Sequence, residues 1–109
     1  MVITKYGLSP PELKLRDKAY NPRELTVKVC DKVVWENQDN KGIAMYHTAT
    51  AGNPDVEKVD DPNYKPYFDS GGVTLGQRSK PVQFFDAGEY PYFCRPHHWM
   101  RGKITVKPR

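Results

Sequence analysis

A cysteine, two consecutive histidines and a methionine lie within the seven-residue stretch CRPHHWM, which runs from Cys94 to Met100. Two residues separate Cys94 from His97, and two more separate His97 from Met100. Thiolate, imidazole and thioether groups are soft to borderline metal ligands, and gaps of this size let a chain curl around one ion. The stretch therefore predicts a metal site with Cys94, His97 and Met100 as candidate ligands.

The chemistry of these side chains favours copper. Two imidazoles and one thiolate, with a weak axial thioether, form the blue-copper arrangement. The chain has three histidines, and the one outside the loop is His47, which a sandwich fold could bring to the same point. Zinc is a rival because it also accepts cysteine and histidine, but a thioether is a poor zinc ligand. We therefore expect one copper ion per chain.

The elements that must position these ligands have the pattern of β-strands. In the stretch RELTVKVCDKVVWEN, apolar and polar side chains alternate on both sides of a break at Cys30 and Asp31. Such alternation is typical of half-buried strands, so two strands are expected to meet there at a tight turn. Trp35 is expected in the core.

Further strands are predicted at 43–52, near 73–75, at 82–85, at 89–94 and at 102–107, and a turn is predicted at 39–42. The proline-rich, acidic segment 53–66 lacks periodicity and is expected to be a long loop or a short irregular helix. Many short strands separated by regular turn signals favour an all-β fold. We expect an antiparallel Greek-key β-sandwich of seven or eight strands.

The length and net charge of the chain limit how many domains it can form and which partners it can bind. A chain of 109 residues has room for one domain, which we expect to span 1–109. The net charge of +4 is mild and its basic residues are mostly scattered among acids, so binding to nucleic acid is not expected. The sequence has neither an apolar run of roughly 20 residues nor the pattern of a signal peptide. We therefore predict no membrane span and no signal peptide in this sequence.

Several stretches resemble those of one known family. The loop CRPHHWMRG is similar to the copper loop of amicyanin-type and related small cupredoxins. The resemblance extends over nearly the whole chain from Tyr20 onward. It includes the stretches YNPRELTVKVCDKVVWEN, YHTATAG, FDSG and GEYPYFCRPH. The chain is thus similar to the cupredoxins, the type 1 blue copper proteins related to amicyanin and plastocyanin, and the resemblance implies a cupredoxin-like β-sandwich.

The resemblance also implies a role for each candidate ligand. His47, Cys94 and His97 correspond to the equatorial ligands, and Met100 corresponds to the long axial one. Thr48 stands where many members have an asparagine that tethers the cysteine loop, and we expect its hydroxyl to be able to make that tether.

Two further residues of metal-binding type are expected to have no role as ligands. Cys30 stands at a turn where relatives commonly have glycine, so that turn is expected to be less relaxed. His98 is expected to be a surface imidazole beside the site.

The function implied by the resemblance is the transfer of single electrons between redox proteins. The exposed edge of His97 is the usual electron port of the family. Arg95, His98 and Arg101 surround this port in the sequence, so we expect a redox protein partner with an acidic docking patch. The family's habit also implies an extracytoplasmic location, periplasmic or on the cell surface. A different class remains open: without axial ligation by Met100, the copper could serve a small-molecule redox enzyme, for example in nitric oxide oxidation.

A disulfide between Cys30 and Cys94 is the main structural alternative. Two cysteines with Trp35 between them, and Tyr92 two residues before the second, are also features of immunoglobulin domains. In that fold, however, the tryptophan lies across a sheet-switching loop, whereas Trp35 follows Cys30 by one tight turn. A disulfide would also leave His47, His97 and Met100 without a role.

Overall fold

The computed structural model describes residues 2–4, 19–21, 23–38, 46–74 and 76–109. These residues contain strands and turns but no helix. The predicted turn at 39–42, the start of the strand predicted at 43–52, and Leu75 lie outside the described residues. The described residues form nine short strands: β1 Val2–Thr4, β2 Ala19–Asn21, β3 Glu24–Lys28, β4 Lys32–Val33, β5 Glu36–Asn37, β6 Thr50–Ala51, β7 Val82–Gln83, β8 Gly88–Phe93 and β9 Arg101–Lys107.

The strands form three hydrogen-bonded groups. The largest sheet has the order β3-β9-β8-β6, a second has the order β2-β1-β5, and β4 pairs with β7. The hairpin of β8 and β9 dominates the large sheet, with an antiparallel register that runs from Gly88 opposite Val106 to Phe93 opposite Arg101. The loop that connects the two strands runs from Cys94 to Met100.

Two strand pairs are parallel, so the expectation of a purely antiparallel sandwich was wrong in this respect. β3 pairs with β9 in parallel, and β1 pairs with β5 in parallel. Alternation of apolar residues shows which face of a strand is buried, but the direction of its neighbour depends on how often the chain crosses between sheets. The all-β prediction itself is confirmed for the described part of the chain.

The core follows the alternation seen in the sequence. Val33 and Trp35 are buried while Lys32 is exposed, and Ile104 and Val106 are buried on β9. Trp35 stacks on Phe68 at a ring-centroid distance of 5.6 Å. The buried cluster draws on residues from all parts of the described chain: Tyr20, Val33, Trp35, Ala49, Ala51, Phe68, Phe84, Tyr92, Cys94, Met100, Ile104 and Val106. Since Cys94 and Met100 belong to this cluster, the candidate site is built on the end of the core itself.

The turn after β3 does not join two paired strands. The amide of Asp31 donates to the Lys28 carbonyl at 2.9 Å, which closes a four-residue turn. The chain then enters β4, which pairs with β7 rather than with β3. Cys30, the third residue of the turn, has φ 78°, the left-handed conformation that glycine adopts without strain. The expectation of a less relaxed turn at Cys30 is confirmed.

The segment 53–66 is a loop, as predicted. One turn near its start closes when the amides of Val56 and Glu57 donate to the Asn53 carbonyl at 3.1 and 2.9 Å. Bends and turns follow, and no regular strand or helix forms in this segment. The part of the chain that the structure describes has no helix long and apolar enough to cross a membrane.

Candidate metal centre

The loop between β8 and β9 is closed by its own hydrogen bonds. The Cys94 amide donates to the Met100 carbonyl at 3.1 Å, which continues the pairing of the hairpin for one more step. Inside the loop, the His97 amide donates to the Cys94 carbonyl at 3.1 Å, and the Met100 amide donates to the His97 carbonyl at 2.9 Å. Two consecutive turns therefore curl the chain, and the backbone geometry alone brings Cys94, His97 and Met100 to one end of the hairpin.

His47 reaches the same place from a different part of the chain. It forms an isolated antiparallel bridge with Val73, with His47 N–H to Val73 O at 3.1 Å and Val73 N–H to His47 O at 2.8 Å. The side chain of Asn37, on β5, donates from Nδ2 to the same Val73 carbonyl at 2.8 Å. His47 and Asn37 are both fully buried. Two backbone bonds and a buried amide thus hold the segment that carries His47.

Three ligand atoms converge. His47 Nδ1 lies 3.7 Å from Cys94 Sγ, and His97 Nδ1 lies 3.4 Å from the same sulfur. The candidate ligand atoms of these three residues all lie within 4.8 Å of one another, and all three residues are buried. Two imidazoles and one thiol in a buried cluster are the donor set that suits copper, so the residues present fit a type 1 copper ion.

Met100, the fourth candidate ligand, lies at the end of the same loop, where its amide donates to the His97 carbonyl and its carbonyl accepts from the Cys94 amide. Its side chain is 1% exposed and belongs to the core cluster that also contains Cys94. Water therefore has little access to the thioether side of the site.

Thr48 ties the cysteine loop to the strand that follows His47. Its backbone N–H donates to Cys94 Sγ at 3.4 Å, and its hydroxyl accepts the backbone N–H of Arg95 at 3.0 Å. The prediction that a threonine hydroxyl can replace the asparagine tether is confirmed. Tyr20 adds a third support, since its buried hydroxyl donates to the Thr48 carbonyl. Burial raises the pKa of Tyr20, with a further contribution from Cys94, so the phenol stays protonated.

Of the three buried residues in the cluster, His97 is the one nearest to solvent. His97 is 7% exposed, and its ring packs against the edge of Trp99 at a centroid distance of 5.2 Å. Trp99 is 44% exposed. His97 is also close to the other histidine of the cluster, with 5.1 Å between its ring centroid and that of His47. His97 is thus more exposed than His47 and Cys94, which are both at 0%, so its imidazole is the group of the cluster that a partner could approach most closely.

The basic residues of the loop are paired with acids from segment 53–69. Arg95 forms an ion pair with Asp69 at 3.1 Å, and Arg101 forms one with Asp55 at 3.2 Å. The Nε2 atom of His98 lies 3.5 Å from a carboxylate oxygen of Asp60. The hydrogen bond from Arg101 lowers the pKa of Asp55, so that carboxylate is charged at neutral pH. Arg95 and Arg101, the two arginines beside the cluster, thus each have an acidic partner within the same chain.

His98 and Cys30 take no part in the cluster. The His98 ring packs edge-on against Phe93, at a centroid distance of 5.3 Å, and is not among the three converging residues. This agrees with the prediction of a surface imidazole. Cys30 is exposed, Cys94 is buried, and no disulfide joins them. The alternative disulfide is thereby excluded.

The sequence interpretation missed several supporting residues. Asn37, Tyr20 and Asp69 were not predicted to support the site. For Asn37 a signal existed, because it continues the inward-facing series of Val33 and Trp35. A polar residue at a buried strand position must find a hydrogen-bond partner, and here the partner is the carbonyl that pairs with His47.

Comparison with known proteins agrees with this geometry. A family model described as copper binding proteins of the plastocyanin/azurin family matches residues 12–107. Amicyanin from Paracoccus denitrificans is 33% identical over 90 residues, which are 81% of this chain and 58% of that protein. Amicyanin-alpha from Methylorubrum extorquens is 27% identical over 97 residues, which are 88% of this chain and 71% of that protein. The chain thus spans less than two thirds of the length of the Paracoccus relative.

Solved structures show the same fold. A purple cupredoxin from Nitrosopumilus maritimus aligns with a TM-score of 0.65 and 25% identity, over 97% of this chain and 98% of that one. A Cu(I) structure of an amicyanin variant aligns with a TM-score of 0.63 and 26% identity, over 98% of this chain and 81% of that one. The cupredoxin-like fold is confirmed, and the chain belongs to the plastocyanin/azurin family of copper-binding proteins.

Proposed function

We propose that this protein is a type 1 copper protein that carries single electrons between redox partners. The observation that supports the proposal most directly is the convergence of one thiol and two imidazole nitrogens within 4.8 Å in a buried cluster. In this proposal His47, Cys94 and His97 are the equatorial ligands and Met100 is the axial one. The chain 1–109 is a single cupredoxin domain.

Hydrogen bonds hold the candidate ligands of the metal centre in one arrangement. Copper bound there would supply one-electron chemistry between Cu(II) and Cu(I). The loop is closed by its own backbone hydrogen bonds, and Thr48 fixes both Cys94 Sγ and the Arg95 amide. Supports that are already in place keep the ligands from moving when the charge of the site changes, and small movement favours fast electron transfer.

The burial of Met100 favours the carrier over a small-molecule redox enzyme. An enzyme acting on nitric oxide or a similar molecule needs an open coordination position. Met100 is 1% exposed, and its backbone is bonded to both Cys94 and His97, so its side chain is held on the inner side of the loop. An open axial position has no support from this arrangement.

The proposed docking surface centres on His97 and Trp99. These two side chains bring an apolar, partly exposed surface to the edge of the cluster. The proposed partner is a redox protein that presents an acidic docking patch to this surface. Since Arg95 and Arg101 are each paired with an aspartate, docking should depend only moderately on salt. An extracytoplasmic location, as implied by the resemblance to small cupredoxins, completes the proposal.

The first experiment is to load the purified protein with one equivalent of Cu(II) and to record its visible absorption and electron paramagnetic resonance spectra. We expect an intense thiolate-to-copper band that disappears on reduction. Met100→Leu should shift this band, and Cys94→Ser should abolish it. His97→Asn and His98→Asn form a matched pair of neighbouring imidazoles, and only the first should disturb the spectrum.

Two results would contradict the proposal in different ways. If the wild-type protein shows no thiolate band, the copper centre is wrong. If the band is present but Met100→Leu leaves it unchanged, the axial position is open. Perturbation of the spectrum by added nitric oxide would then favour the enzyme.

A further inference from the structure

Asp69 is not one of the proposed ligands, yet it accepts hydrogen bonds from Arg95, which follows Cys94 in the chain, and from Thr50. The Thr50 hydroxyl is bonded in turn to that of Thr48, whose backbone N–H donates to the Cys94 sulfur. We propose that Asp69 is a positioning residue that fixes the Cys94 thiolate through a relay of two hydroxyl groups, those of Thr50 and Thr48, and through the Arg95 guanidinium. The inference rests on the proposed copper-binding function for its consequence, although the relay itself belongs to the protein alone.

The carboxylate of Asp69 is held in place by the backbone around it. Asp69 and Thr50 form an antiparallel bridge. The Gly71 amide donates to Asp69 Oδ1 at 2.9 Å. The Ser70 amide donates to the Ala49 carbonyl at 2.9 Å, which continues this pairing. The carboxylate is therefore a fixed acceptor rather than a mobile surface charge.

The relay has one consistent direction. A carboxylate only accepts hydrogen bonds, so the bond of 3.2 Å between Thr50 Oγ1 and Asp69 Oδ1 uses the single hydroxyl proton of Thr50. In the bond of 3.0 Å between the two threonine hydroxyls, Thr48 must then be the donor. The lone pairs of Thr48 Oγ1 remain available for the Arg95 N–H, which lies at 3.0 Å. The Asp69 carboxylate thus fixes the direction of both hydroxyl hydrogen bonds in the relay.

Arg95 closes the relay into a ring. Its Nε and Nη2 both donate to Asp69 Oδ2, at 3.2 and 3.1 Å. Arg95 is therefore bonded at both ends of the relay. Its backbone N–H donates to the Thr48 hydroxyl, and its guanidinium donates to the Asp69 carboxylate. The ion pair is partly exposed and contributes little by itself. Its effect is to fix the residue that follows Cys94 at two points.

The ring acts on the thiolate from two sides. Thr48 donates its backbone N–H to Cys94 Sγ at 3.4 Å, and Arg95 is covalently joined to Cys94. Hydrogen bonding around the cysteine sulfur is one of the factors that tune the potential of a type 1 copper. Loss of the relay should free the Arg95 amide, loosen the N–H to sulfur bond and lower the reduction potential.

Variants at Thr50 separate the relay from the charge. Thr50→Val keeps the shape and the Asp69–Arg95 pair but removes both hydroxyl bonds, whereas Thr50→Ser retains them. Asp69→Asn removes the anionic acceptor. Asp55→Asn is the matched control, because Asp55 also pairs with an arginine, Arg101 at the start of β9, but is not part of the relay.

The primary measurement is amide hydrogen exchange by NMR on the metal-free protein. We expect Thr50→Val and Asp69→Asn to speed exchange of the Arg95 amide roughly five- to tenfold, the effect of losing about one hydrogen bond. Thr50→Ser and Asp55→Asn should leave it near the wild-type rate. The amide of Val106 serves as a monitor of global unfolding and should not change. In the copper-loaded protein, Thr50→Val should lower the reduction potential and shift the thiolate band, and Thr50→Ser should restore both.

Each result decides between the relay and a general effect. Wild-type exchange of the Arg95 amide in Thr50→Val would overturn the relay. An effect of Asp55→Asn as large as that of Asp69→Asn would show a nonspecific charge effect and would also overturn it. Absence of a thiolate band in the wild-type protein would contradict the proposed function, while the exchange data would still judge the relay.

Discussion

Cys30 holds a left-handed backbone conformation, with φ of 78°, in the turn after β3. The break in alternation at Cys30 and Asp31 located the turn, and the resemblance to a family with glycine there indicated strain. The structure gives the reason, since φ of 78° places the Cβ of Cys30 in a conformation that costs an L-residue roughly 1–2 kcal/mol. In contrast, the Asp69 relay could not be predicted, because it joins residues about 20 and 26 positions apart whose pairing depends on the fold.

Replacement of Cys30 by glycine should stabilise the protein. Relief of the left-handed conformation outweighs the greater flexibility of glycine in the unfolded chain, so we expect a gain of about 0.5–1 kcal/mol in the free energy of unfolding. Urea unfolding of the metal-free protein measures it. Cys30→Ser keeps the Cβ and should change little. Equal stabilisation by serine would show that the sulfur, and not the backbone conformation, is responsible.

At the level of elements, local patterns located the strands better than they located strand neighbours. The loop between β8 and β9 could be predicted because all of its ligands are close in sequence and flanked by alternating residues. The position of His47 depends on a bridge to Val73 and on Asn37 of β5, which are distant in the sequence. Such long-range pairing depends on the path of the chain between the sheets. The alternation of apolar and polar residues does not predict it.

Asn37 is expected to support both the fold and the site. Asn37→Ala removes the buried donor to the Val73 carbonyl and should cost about 1–3 kcal/mol of unfolding free energy in the metal-free protein. It should also speed amide exchange at His47 and Val73, because their bridge loses a support. Gln38→Ala, at the exposed neighbouring position, should cost under about 0.5 kcal/mol. If Asn37→Ala destabilises the protein without changing exchange at His47, Asn37 supports the core but not the site.

At the scale of the whole molecule, the core and the candidate metal centre are one structure. Tyr20 lies in the aromatic core, where its ring meets that of Tyr92 at a centroid distance of 4.6 Å, and its hydroxyl donates to the carbonyl of Thr48 beside the cluster. The sequence predicted a β-sandwich with Trp35 in its core. It could not show that a core tyrosine also supports the site, because that contact spans 28 residues.

The free energy of unfolding should therefore decrease at alkaline pH because of Tyr20. Burial is the main cause of the raised pKa of Tyr20, so the folded protein keeps the phenol neutral at pH values where the unfolded chain, with the ordinary tyrosine pKa of about 10, ionises. Below about pH 10 both states are protonated, and the stabilisation by the buried phenol is fully present. Above that pH only the unfolded state loses the proton, and stability falls by roughly 1.4 kcal/mol per pH unit until the folded pKa is passed.

Tyr20→Phe isolates this contribution. At pH 8 the variant should be less stable by about 1 kcal/mol, because the hydrogen bond to the Thr48 carbonyl is lost. Above pH 10 its stability should fall less steeply than that of the wild type, by roughly 1.4 kcal/mol per pH unit, so the two curves should meet near pH 11. Urea unfolding of the metal-free proteins between pH 8 and 11 measures both slopes. Parallel curves over this range would mean that Tyr20 ionises equally in both states, and that its link between core and cluster does not hold the phenol neutral.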